Sequence, residues 1–160
     1  MGNAIRFLKK VCIAMVMVIP WLAQAQVPAY GLSINLDGAR KVVAAAEAEA
    51  RKNNLNMVIA VVDTGGYTVL LQRMDGSNNS SVAVATQKAQ TAVAYRRATK
   101  VFEDAIKGGN PQLASLPGVM PIDGGLILVA DGRIVGGIGV SGATSAQDGQ
   151  VAKAGAEVVK

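Results

Sequence analysis

The chain has 160 residues, with 16 basic against 11 acidic side chains, no histidine and a single cysteine. This length fits one compact domain with a real core and is too short for a nucleotide domain joined to a substrate domain. Without histidine there is no Ser-His-Asp triad and no zinc site of the usual Cys/His kind.

The first 25 residues stand apart. Arg6, Lys9 and Lys10 give a basic start, residues 11–22 are nearly all apolar, and Ala23-Gln24-Ala25 is a small-x-small cleavage site. The pattern predicts a secretory signal peptide over residues 1–25 and a periplasmic or secreted product. An uncleaved anchor is the weaker reading, because the apolar run is broken by Pro20 and falls short of the roughly 20 residues a membrane span needs. Cleavage removes Cys12, Trp21 and three of the 16 basic residues, leaving 13 against 11 acidic ones, a net charge of +2. The mature chain then has no disulfide and no thiolate, and its small positive charge argues for solubility rather than a nucleic-acid partner.

Residues 26–34, with Pro28 and Gly31, read as a flexible lead-in, and residues 35–160 as a single domain. Asn35 can cap a first helix over residues 36–52, where Leu36, Ala39, Val43, Ala46 and Ala50 recur at spacings of three and four. Residues 57–63 form an apolar, β-branched strand, Thr64-Gly65-Gly66 a turn, and residues 67–74 the partner strand. After the Asp/Gly/Ser/Asn loop 75–80 comes a second helix to about Arg97. One stripe of it is apolar, and another carries Lys88, Thr91 and Tyr95. A short helix over 99–107 and a loop with three prolines lead to a second hairpin, residues 125–130 and 133–140, turning at Asp131-Gly132. A last helix follows residues 141–144. The order is α-ββ-α-α-ββ-α, which predicts an α+β fold with an antiparallel sheet of two hairpins flanked by helices.

Gly137, Gly139 and Gly142 spell GxGxxG, the spacing of a dinucleotide cradle. The context is wrong: two of the glycines lie in a hairpin arm, and only 18 residues follow Gly142, too few for a second parallel strand and a ribose-binding acid. The expected role is a strand thinned so that another backbone can approach, with a bend at Gly142. Ser145 and Asp148 have capping-box spacing, and the amides of Ser141 to Thr144 are a possible seat for a ligand carboxylate. Arg73 and Asp75 are either ordinary turn residues or the mouth of a pocket above the sheet. Lys88, Thr91 and Tyr95 read either as a solvated face or as a partly buried polar seam.

The segments INLDGARKVVAAAEAEA, IAVVDTGGYTVLLQRMDG, TQKAQTA and GGLILVADGRIVGGIGVSGATSAQD, in this order and spacing, resemble the GlcG/HbpS family. This is the haem-degrading domain family, also found as the C-terminal domain of PduO-type proteins, and the likeness covers about residues 33–159. The resemblance implies a profilin-like sandwich, homo-oligomers, and in several members binding of haem or another tetrapyrrole. Family positions fall on Asp63, Gly66, Arg73, Asp75, Lys88, Thr91, Gly125, Gly139, Ser141, Gly142 and Asp148. Arg73, Met74, Asp75, Lys88, Thr91, Tyr95, Ser141 and Gly142 are the expected ligand-site residues, with no resident metal site. The chain departs from common haem proteins in having no histidine, so Met74, Met120, Tyr67, Tyr95 or a hydroxyl such as Thr91 is left to meet an iron.

Three functions are therefore open: an exported tetrapyrrole-binding protein with an apolar pocket walled by the sheet and the Lys88 helix; an enzyme or accessory factor for a small carboxylate such as a 2-hydroxy acid, with Lys88 and Arg73 as a clamp and Asp75 as base; and a ligand-free structural oligomer. The residues favour binding over catalysis.

Overall fold

A computed structural model describes residues 27–160; the predicted signal peptide lies outside them. The elements run α1 (Leu36–Lys52), β1 (Val58–Val62), β2 (Thr68–Arg73), α2 (Ser81–Tyr95), α3 (Lys100–Lys107), a 3-10 turn (Pro111–Ser115), β3 (Gly125–Ala130), β4 (Arg133–Ser141) and α4 (Ser145–Ala156). The predicted order and α+β class hold. The two hairpins join through β1 and β4 into one antiparallel sheet of order β2-β1-β4-β3. Among the described residues no helix is long and apolar enough to cross a membrane.

β1 is buried along its whole length, because helices cover both of its faces. Ile59 and Val61 join the large core under α1 and α4, while Val58, Ala60 and Val62 pack with Ala85, Ala89 and Val93 of α2. The α2 side is built from small residues, so the helix sits very close to the sheet. A methyl group on Gly139 would be driven into the carbonyl oxygen of Ala85, and one on Gly137 would meet the Val93 side chain and the Ala89 carbonyl. The glycines of the GxGxxG pattern therefore serve helix-on-strand packing.

The Asp131-Gly132 turn takes φ values of 48° and 71°, the left-handed pair that a two-residue hairpin requires. Asn35 caps α1 as expected, its side chain accepting from the Gly38 amide at 2.8 Å. α2 ends at Tyr95, two residues before the expected stop, with Arg96 capping it in the left-handed region.

Two expectations are corrected. The lead-in is docked rather than flexible. The Gly31 amide donates to Ile134 O at 2.8 Å, the Ile134 amide to Ala29 O at 2.8 Å, and the Ile34 amide to Val135 O at 2.7 Å. The cause is a mismatch in strand length: β4 pairs with β1 only over residues 137–141, leaving its first residues an open edge that the lead-in fills. The second correction concerns the start of α4. Thr144, not Ser145, is the cap, in a reciprocal box with Gln147. Asp148 is thereby released for another task.

Candidate functional site

Lys88 lies on the sheet-facing side of α2, where an Ala-rich helix would otherwise place a methyl group. Its side chain and that of Asp148 are 1% and 4% exposed, and the two form an ion pair at 2.7 Å. The ammonium also donates to Val140 O at 3.0 Å. Asp148 uses its other oxygen to accept from the Ala143 amide at 3.1 Å. One buried pair thus ties together α2, the end of β4, the loop 142–144 and α4. Gly124 closes over it with φ +118°, and a side chain there would collide with the Lys88 ammonium, Val140 O and Asp148 Cβ. Burial pushes the Asp148 carboxyl above its usual range, an effect that the Lys88 bond and charge only partly offset.

The rest of the Lys88 stripe is a seam, the second of the two readings its residues allow. Thr91 is fully buried; its hydroxyl donates toward Gln87 O and Gly118 O at 2.8 and 3.0 Å and accepts from the Met120 amide at 2.9 Å. Tyr95 donates to Pro117 O at 2.7 Å and meets Phe102 edge-on. Together they strap the proline loop onto α2. Ser141, also buried, shares a hydroxyl contact with Ser81. Gly142 makes room for Asn56 O and Met57, where a side chain would clash.

Arg73 is elsewhere. Its guanidinium donates to Asn79 Oδ1 at 2.7 Å and to Ser77 O at 3.3 Å, bracing the loop after β2. Asp75 is exposed in that loop, and Met74 is 7% exposed in the core. The structure therefore spreads Lys88, Thr91 and Ser141 along α2, Ser141 against Ser81 at its start, with Gly142 packed on Asn56 and Met57, and does not place Arg73 and Asp75 with Lys88. A pocket shared by Arg73 and Lys88 is not formed, because Lys88 is consumed by Asp148. The carboxylate clamp fails for the same reason, and the Ala143 amide proposed for a ligand is taken by the same Asp148.

Two depressions on the surface lie away from the Lys88–Asp148 pair. A groove of about 500 Å³ runs between the start of α3, the β3 edge and the outer face of α4, with Leu126, Ala146 and Gly149 as its apolar floor and Lys100 and Lys153 at its rim. A smaller cleft of about 280 Å³ separates the β1–β2 turn, with Tyr67, from Gln90, Val93 and Ala94 of α2. Sequence reasoning missed both, since each is made by residues far apart in the chain. Among the described residues no group of three His, Cys, Asp or Glu side chains could hold a metal ion.

Comparison with known proteins places this geometry. A family model described as "Haem degrading protein HbpS-like" matches residues 34–157. Protein GlcG of Escherichia coli strain K12 is 42% identical over 103 residues, covering 64% of this chain and 77% of GlcG. The crystal structure of HbpS is similar with a TM-score of 0.75 at 35% identity, covering 81% of this chain and 92% of that one. The crystal structure of a PduOC:Heme complex has a TM-score of 0.73 at 26% identity and covers 81% and 96% of the two chains.

Proposed function

The chain belongs to the HbpS-like family, and from that membership we propose that it is an exported protein that binds haem. The observation that carries the reading is the shared fold, across 81% of this chain, with a domain whose crystal structure is a haem complex. The residues are compatible with the group. Tyrosine and methionine are available as iron donors in place of histidine, and the open groove of about 500 Å³ with Leu126 and Ala146 at its floor and Lys100 and Lys153 at its rim suits a flat apolar ring bearing propionates. A bound haem would supply redox and oxygen chemistry of its own; the chain's part is to seat it, since the buried ion pair and its seam are committed to holding α2, β4 and α4 together.

Export is supported by the basic, apolar and small-x-small character of residues 1–25, and a homo-oligomer is carried over from the family resemblance. Titrating haem into the mature protein tests the binding. A saturable Soret shift is expected, and a spectrum that remains the sum of its components at every ratio would refute it. Cell fractionation with mass determination tests export, the expected product beginning at Gln26. Native mass spectrometry of the same sample reports the subunit count.

A further inference from the structure

Charge is spread unevenly over the molecule. Residues 76–95 and 108–122 number 35 and contain a single charged side chain, Lys88, which is buried, whereas the other 99 described residues carry 23. The two segments make one surface. The Thr91 hydroxyl donates to Gly118 O at 3.0 Å and accepts from the Met120 amide at 2.9 Å, and Tyr95 donates to Pro117 O at 2.7 Å, so the proline loop is fastened along α2. Of the 35 residues 27 are exposed or half-buried, which matches the roughly 20–30 residues a side that a stable interface engages. Depletion of charge on this scale is the compositional mark of an interface core.

The outward line of α2 selects the partner. Ala83, Gln87, Gln90 and Ala94 follow one another at spacings of four, three and four, which sets them on one side of the helix, opposite Ala85, Ala89 and Ala92 in the core. The line is a palindrome. Laid antiparallel on a second copy about a two-fold axis between Gln87 and Gln90, Ala83 faces Ala94 of the partner subunit and Gln87 faces Gln90 of the partner subunit. A primary amide is donor and acceptor at once, so the two glutamine pairs satisfy each other. Gln90 is already oriented: it donates one N–H to Gly66 O at 3.1 Å, and its oxygen and second N–H remain for the pair. The alanines at both ends let the helices approach closely. The other helices present charge instead, α1 with Arg40 and Lys41, α3 with Lys107 and α4 with Lys153, all exposed. Pressing the charge-free face onto any of them would strip water from ions that gain no partner.

We propose that α2 and the proline loop strapped to it form a two-fold interface with a second copy of this chain, the two α2 helices lying antiparallel along the Ala83–Gln87–Gln90–Ala94 line. The assignment rests on the homo-oligomer reading and names its contact surface. A contact of one patch with itself closes after two subunits, so the subunit count is even. None of the residues lining the groove beside α3 lies in these two segments, so the haem reading stands or falls separately.

Native mass spectrometry and sedimentation velocity over a dilution series compare the mature wild type with Ala83→Glu, Ala94→Arg, the double variant, and Ala48→Arg on the outer side of α1. Each substituted alanine is exposed, so circular dichroism should show every variant folded. The wild type is expected to have an even subunit count. Either single variant at the interface buries an unpaired charge at both ends of the contact and should raise the dissociation constant about tenfold or more, giving a smaller assembly at the same concentration. In the double variant the introduced carboxylate and guanidinium face each other across the axis, so the wild-type count should return; Ala48→Arg should keep it throughout. A wild type that is monomeric at every concentration overturns the homo-oligomer reading itself. An odd count, or an oligomeric wild type whose count survives both single variants, overturns this interface alone. Two weakened single variants whose combination stays dissociated overturn the antiparallel register, and loss confined to Ala48→Arg moves the contact to α1.

Discussion

Asp148→Asn removes the negative charge from a site where both partners are more than nine-tenths buried. The Lys88 ammonium is left with Val140 O at 3.0 Å and an amide oxygen, neither of which carries a charge to balance it. Breaking a buried pair from one side costs about 3–5 kcal/mol, a large share of the roughly 5–15 kcal/mol that a domain has in total. Lys88→Met is milder. The methionine fills much the same volume, and the buried Asp148, with no cation beside it, takes up a proton. The orphaned Val140 carbonyl and the lost charged hydrogen bonds set that cost at about 2–3 kcal/mol. Lys88→Met with Asp148→Asn leaves no charge in the site and should be less destabilised than Asp148→Asn alone, giving a coupling energy of about 2 kcal/mol or more. Urea unfolding of the four mature proteins, analysed by linear extrapolation at neutral pH, measures the cycle. Single-variant costs that add to the double-variant cost within about 0.5 kcal/mol would refute the view that the pair acts as one clamp.

The glycine packing predicts that Gly139→Ala, forced against the Ala85 carbonyl, costs more than about 3 kcal/mol, beyond the usual overpacking range, because the obstacle is backbone. Gly132→Ala has nothing within 4 Å and pays only for its left-handed φ, about 1 kcal/mol; thermal unfolding ranks the two. Thr91→Val keeps the volume but releases Gly118 O and the Met120 amide, so it should cost about 1–3 kcal/mol and raise the rate of limited proteolysis within residues 110–123. On acidification, Glu103 is held below the usual carboxylate range, first by its Lys107 hydrogen bond and then by the Asp123 amide. Its contribution is present above the unfolded pKa and lost as pH falls through the folded one, so Glu103→Gln should flatten the acid limb of a stability-versus-pH curve. Asp148 has the opposite sign: its raised pKa favours the fold below the unfolded value and is lost as pH rises through the folded one, so it opposes the acid limb.

The fold was legible wherever a local rule sufficed. A continuous apolar, β-branched run marked β1, spacings of three and four marked α1, and Asp131-Gly132 marked the second turn because two successive left-handed residues admit few alternatives. What escaped was set by partners distant in sequence. The lead-in looks like a tail by composition, and only the excess length of β4 over β1 makes it a docking strand. Arg73 and Lys88 are both cations at family positions, yet one braces the next loop and the other lies at the centre of the molecule.

Asp148 shows how far a stricter rule of charge balance would have reached. A lysine on the sheet-facing side of an alanine-rich helix, between Ala85 and Ala92, cannot keep its ammonium in water, so it needs a carboxylate buried with it. In α4 the first turn offers only Asp148, on the same side as Val151 and Ala152, whereas Thr144 and Gln147 already supply a complete cap. Capping and pairing compete for the same carboxylate, and the desolvated cation wins because an unpaired buried charge costs several kcal/mol against about 1 kcal/mol for a cap. The consequence reaches the functional site: with Lys88 neutralised inside the core, a cationic contact to a bound ligand must come from the surface, which is where Arg96, Lys100 and Lys153 stand.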